Sequence, residues 1–118
     1  MKYVVLIYTN PATWSALPAG EQDRVIKVHN DLIDRLTETG EFVNIYRMAD
    51  AALTKTVRLQ GGAPVVTDGP FGEAKELLAS LWEIDVAGVG RAIEIATPLA
   101  QYCTVELTPV MDAAGLEM

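Results

Sequence analysis

The chain has 118 residues and a formal net charge of −7 at pH 7; half of its residues are hydrophobic and 21% are charged. That length fits a single domain, residues 1–118, and the composition can fill a core, which excludes a disordered chain. An acidic chain offers no basic patch to displace counterions from nucleic acid or to hold an anionic membrane, so neither is expected as a partner.

The first strand-like run is Lys2 to Tyr8, short, apolar and β-branched. It is too short to span a membrane and lacks a signal-cleavage pattern, so a cytoplasmic protein is expected. Asn10-Pro11 breaks it, and a short helical turn then holds Trp14. Glu21 to Thr39 has helical spacing, with Val25, Ile26, His29, Leu32, Ile33 and Leu36 on one face. Glu21 and Asp23 suit the positive end of its dipole, and Gly40 ends it.

Phe42 to Met48 is the next strand, with Phe42, Asn44, Tyr46 and Met48 expected on one face. Leu53 to Gln60 alternates as a half-buried strand, and Gly61-Gly62 is a strong hairpin turn. Val65 to Thr67 returns beside it. Leu77 to Val86, carrying Trp82, is a further strand. Gly90 to Thr97 is a short helix that Pro98 closes. Tyr102 to Val110 is the last strand, with Cys103, Val105 and Leu107 on one face, and the tail from Asp112 is expected to be loose. The order strand, helix, strands, helix, strand predicts an α+β fold, a ferredoxin-like βαββαβ arrangement with a β-hairpin insertion. Two helices cover only one face of such a sheet. A homodimer that pairs the open faces is therefore expected.

Few residues can carry chemistry. His29 is the only histidine, set in the apolar face of the long helix. It is either a packed core residue or a group facing a cleft, where an imidazole titrating near pH ~6.5 can serve as acid or base. Asp68 ends a strand in the turn Asp68-Gly69-Pro70-Phe71. It either caps its own turn or orients the His29 imidazole as a His–Asp pair. Glu73, Lys75 and Glu76 are active-site charges or solvated surface. Arg47 and Arg58 are candidates for an anionic substrate; Tyr8, Tyr46 and Phe71 are candidates for a pocket lining. A single cysteine, Cys103, allows no internal disulfide and reads as a small hydrophobe. No metal-ligand spacing, phosphate loop, dinucleotide fingerprint or hydrolase triad is present, so no metal and no organic cofactor is expected.

The string Asp68-Gly69-Pro70-Phe71-Gly72-Glu73-Ala74-Lys75-Glu76 resembles the signature of the DGPF group of YCII-related proteins. The opening Met1-Lys2-Tyr3 to Leu6-Ile7-Tyr8, Val28-His29, Thr56-Val57-Arg58 and Trp82-Glu83-Ile84-Asp85-Val86 are similar to further family strings, in the same order. The resemblance implies a dimeric α+β barrel and places the family's proposed His and Asp at His29 and Asp68. Two segments depart from it. Asn44 to Asp50 lacks a Gly-rich, Leu-Gln-Pro-like stretch, and Leu107-Thr108-Pro109 lacks an Arg before the Pro.

Two functions follow as expectations. One is a cofactor-independent lyase- or isomerase-type enzyme acting on a small molecule through His29 and Asp68. The other is a ligand-binding or regulatory dimeric module, linked to sigma-factor systems in some relatives, without catalysis. A scaffold dimer with a vestigial cleft is the bland remainder.

Overall fold

The computed structural model describes residues 1–72 and 75–111; Glu73 and the tail from Asp112 lie outside the described residues. The elements are β1 (Lys2–Thr9), α1 (Pro11–Ala16), α2 (Ala19–Thr39), β2 (Phe42–Arg47), β3 (Lys55–Gln60), β4 (Ala63–Asp68), β5 (Leu77–Asp85), α3 (Val89–Ala96) and β6 (Thr104–Pro109). Four strands form one antiparallel sheet in the order β2-β5-β1-β6; β3 and β4 pair only with each other. The fold is α+β.

Local signals explain the helices. Asn10 caps α1, its side chain accepting the Ala12 N–H at 2.9 Å, and Pro11 takes a first-turn position where an N–H is not missed. α2 buries Val25, Leu32 and Leu36, as its spacing predicts. Pro98 does not stop the chain's winding after α3. It opens a 3-10 segment, Thr97–Gln101, again at a position needing no N–H donor, and that segment buries Leu99.

The core lies between α2, α3 and one sheet face. Tyr3, Val5 and Ile7 of β1 and Trp82 and Ile84 of β5 meet Leu32, Leu36, Ala92, Ile95 and Leu99. The period of two sends Val4, Leu6, Tyr8, Leu81, Glu83 and Glu106 to the opposite face. No helix among the described residues covers them. β6 keeps its expected alternation, since Cys103, Val105 and Leu107 pack on the core.

β2 does not keep its own. Its register with β5 shifts between Phe42 and Asn44. The extra residue, Val43, is a bulge that breaks the period of two. Phe42 and Ile45 therefore face the core together, while Tyr46 is 51% exposed. The expected face of Phe42, Asn44, Tyr46 and Met48 does not exist.

The β3–β4 ribbon is the second departure. Its strands are neither half-buried nor on the edge of the main sheet: Val57, Leu59 and Val66 are all exposed. Gly61 and Gly62, both at positive φ (58° and 80°), make the tight turn. Gly69 follows the ribbon at φ 90°, a conformation that favours glycine. Its N–H donates to the Thr54 carbonyl at 2.7 Å and its carbonyl accepts from Thr56 Oγ1 at 2.8 Å, which ties the loop to the ribbon's base.

A bidentate ion pair joins the two long helices' ends. Arg91 at the start of α3 donates from Nε and Nη2 to both oxygens of Glu41, just after α2, at 2.9 and 2.8 Å. These bonds, with one from Thr39, hold the Glu41 carboxyl at about 2, below its usual 4.5. A depressed carboxyl stabilises the fold above its unfolded pKa and loses that contribution as pH falls through the folded one. Arg91 is 37% exposed, so screening reduces the effect. Glu41→Gln is expected to cost about 1 kcal/mol at neutral pH. Urea melts at stepped pH should show that difference shrinking from pH ~4.5 downward; a constant difference down to pH ~2 would contradict it.

Candidate functional site

Between α2 and the end of the sheet where β1 and β2 stop and β5 begins lies a cavity of about 310 Å³. Ile7, Val25, Ile33, Ile45 and Trp82 supply apolar walls; His29, Asn30, Arg47 and Ser80 supply the polar groups. Trp14, on α1, closes one side, and α1 is fastened to α2 by a hydrogen bond from Gln22 Nε2 to the Trp14 carbonyl at 2.8 Å.

Each polar group has a structural reason to be there. His29 follows Val25 by four residues and precedes Leu32 and Leu36 by three and seven, so it shares their inward face. Ser80 and Trp82 are two apart on β5 and face inward with Ile84. Ile45 pairs with Trp82 and Arg47 with Ser80. Arg47 thus stands one two-residue step along the sheet from the Trp82 row, at the exposed end of β2.

Two of the residues lining this cavity each carry a buried nitrogen with no hydrogen-bond partner among the described residues: His29 Nε2 and Trp82 Nε1. Trp82 is 0% exposed. The two rings meet edge to face, centroids 6.0 Å apart and planes at 82°. That contact packs well, but an aromatic face is only a weak acceptor. Burial, and secondarily the Arg47 charge, push the His29 pKa below 6.5, so the imidazole is neutral at neutral pH. Burial first, then Glu76, push the Cys103 thiol up, so at the cavity wall it is a protonated thiol and a poor nucleophile.

The other sequence candidates lie elsewhere. Asp68 ends β4 on the ribbon, its side chain 82% exposed and ion-paired with Lys55, the residue opposite it. It does not line the cavity, so within one chain His29 and Asp68 are not brought together. The cause is the ribbon's separation from the main sheet. Arg58 and Phe71 meet each other, the guanidinium 5.2 Å from the ring centroid, with Phe71 74% exposed. Tyr8 is on the open sheet face, where burial and then Glu106 raise its pKa. Tyr46 is exposed beyond the bulge. Lys75 and Glu76 are also exposed, and Thr104 Oγ1 donates to Glu76 Oε1 at 3.0 Å. Trp82, Ser80 and Asn30 were not among the expected site residues. The alternation of Ser80, Trp82 and Ile84 was the available signal for the first two. No group of three or more His, Cys, Asp or Glu among the described residues could hold a metal ion, and no helix there is long and apolar enough to cross a membrane.

The fold and cavity define an α+β domain with one neutral imidazole in a mainly apolar cleft. The chain belongs to the YCII-related domain family, whose family model matches residues 1–114. It is similar to the uncharacterized protein R00369 of Rhizobium meliloti (strain 1021), at 31% identity over 100 residues, 85% of this chain and 81% of that protein.

As the sole histidine, His29 gives one resolvable imidazole signal. Its NMR titration should have a midpoint below 6.5. The unfolded chain binds the proton more readily, so stability should fall as pH drops from ~6.5 toward the lowered folded value, then level off. His29→Leu should flatten that part of the stability curve. A midpoint above 6.5 would contradict the burial argument.

Proposed function

We propose that this protein is a cofactor-independent, small-molecule site of lyase or isomerase type in which His29 moves a proton. The observation that carries the proposal is a neutral imidazole, its buried Nε2 unpartnered among the described residues, on the wall of a mainly apolar cavity. A neutral imidazole can take a proton from a carbon acid, and low polarity around it strengthens its interaction with the charge that develops. Asp68 enters this proposal as a loop-ordering partner of Lys55, not as an orienting group within the same chain.

A second reading, a ligand-binding module without catalysis, is favoured by a different observation. Arg47 is the charged group acting on His29, and no carboxylate accepts a hydrogen bond from that ring among the described residues. Deuterium exchange separates the two. Small methyl ketones and lactones incubated with the protein in deuterated buffer should exchange their acidic C–H protons, and His29→Gln should abolish that exchange while ligands still bind. Binding without exchange would leave the module as the function.

The assembly we propose is a ferredoxin-like domain with a hairpin insertion, paired as a homodimer. The strand order β2-β5-β1-β6 and the open face carrying Val4, Leu6 and Leu81 support it. So does the ribbon, because a lone two-stranded sheet with Val57, Leu59 and Val66 exposed is marginal in water. Sedimentation at micromolar concentration should give a dimer, and Leu6→Glu should yield monomer with a lower melting temperature. A wild-type monomer would end the dimer proposal.

A further inference from the structure

The cavity and the chain carry opposite charge. The chain has 16 acidic residues and a net charge of −7, yet no Asp or Glu among the described residues lines the cavity. Its one charged member is Arg47. Among the described residues Arg47 is in no ion pair, whereas Arg24, Lys27, Lys55 and Arg91 each hold a carboxylate. The chain thus leaves beside an apolar space a cation that an incoming anion can pair with.

Strand register fixes where that cation stands. Arg47, Ser80, Ile7 and Val105 are partners in one row across the four strands. Ser80 and Ile7 are buried and Val105 packs on the core, so the row faces α2. Arg47 ends it at the β2 edge, three strand spacings or roughly 14 Å from the β6 edge. Its charge is felt by His29 on α2, the opposite wall. Toward the β6 edge the sign reverses, because Cys103 lines the wall there and Glu76 acts on its thiol. An anionic head is therefore favoured at one edge and opposed at the other, and the strands between contribute Ile7 and Trp82. A carboxylate suits the favoured edge better than a phosphate. One guanidinium offers it two parallel N–H donors, while a phosphate monoester brings up to about two charges to a wall whose other polar members are uncharged.

We propose that the ligand of this cavity is a small apolar carboxylic acid in its ionised form, its carboxylate paired with Arg47 and its apolar body lying along the sheet toward Ile7. The assignment rests on the reading of the cavity as a small-molecule site, and it holds whether or not His29 moves a proton. Arg47 is a binding residue that selects for charge, and the apolar walls select for the body.

Three probes separate head from body: 2-naphthoate, which has both; 2-naphthamide, a neutral isostere; and acetate, the head alone. Wild type should bind 2-naphthoate at least about tenfold more tightly than 2-naphthamide and acetate far more weakly than either. The signals of His29, the only histidine, should move with both naphthyl probes and so place them in this cavity. Arg47→Met should bring 2-naphthoate down to the affinity of 2-naphthamide and leave the amide unchanged. Arg35→Met makes the same change in net charge at a residue that does not line the cavity, and it should leave both affinities as they are. Equal wild-type affinity for acid and amide overturns the carboxylate assignment and leaves the cavity as a ligand site. A preference for the acid that survives Arg47→Met, or that Arg35→Met removes equally, overturns the role of Arg47. If neither naphthyl probe binds or moves the His29 signals, this assignment and the small-molecule reading of the cavity fail together.

Discussion

The burial of Trp82 is the constraint around which the rest is arranged. It sits on β5, the strand paired with both β1 and β2, and is fully buried. His29 from α2 and Phe42 from β2 each meet its ring edge to face, at 6.0 and 6.2 Å. An indole of this size fixes how closely α2 can approach the sheet. The cavity is the space left beside it, where the helix cannot close down on Ser80 and Arg47. The core that positions the ring, Val5, Ile7, Leu36 and Ile84, offsets the cost of its unpartnered N–H. The cavity's floor is therefore as rigid as the core itself.

The mouth is built differently. Trp14 and Met48 belong to segments that follow strand ends; among the described residues a Gln22 bond to the Trp14 carbonyl ties α1 to α2, and Asn10 caps α1 itself. Substitutions there change access without touching the core. Such a division lets one scaffold keep its floor while the opening varies. The segment Asn44 to Asp50, where this chain departs from the pattern of the proteins it resembles, contributes Ile45, Arg47 and Met48 to this cavity. Its departure therefore falls on the lining of this cavity and not on the strand order.

Much of the architecture was legible because it depends on short-range signals. The helical spacing of Val25, Leu32 and Leu36, the Asn10-Pro11 cap and the Gly61-Gly62 turn all determine structure within a few residues. His29 was placed on the inward face by the same spacing. What failed was longer in range. The bulge at Val43 has no local marker, yet it turns Tyr46 outward and Ile45 inward. β1 is apolar on both faces, so its sequence does not say that Tyr3 faces the core and Tyr8 the open side. The turn at Gly69 is as sharp as its sequence implies, but a turn's sharpness says nothing about where its ribbon lies. Asp68 ends a strand, as its turn implies, but that strand belongs to the separate ribbon, where Asp68 pairs with Lys55.

Electrostatics also separates what the whole chain does from what the site does. A net charge of −7 repels anions at long range, but beyond about 8 Å physiological salt screens most of that field. At the cavity the nearest permanent charge is opposite in sign. Arg47 lines the wall, and its effect on His29 is felt as a lowering of the imidazole pKa. The two groups thus oppose each other in a useful way. The cation that would hold an anionic ligand also adds to burial, the larger cause, in keeping the neighbouring imidazole free of its proton. Removing the positive charge should therefore do two things at once: weaken the hold on an anion and let His29 regain a proton more readily as pH falls.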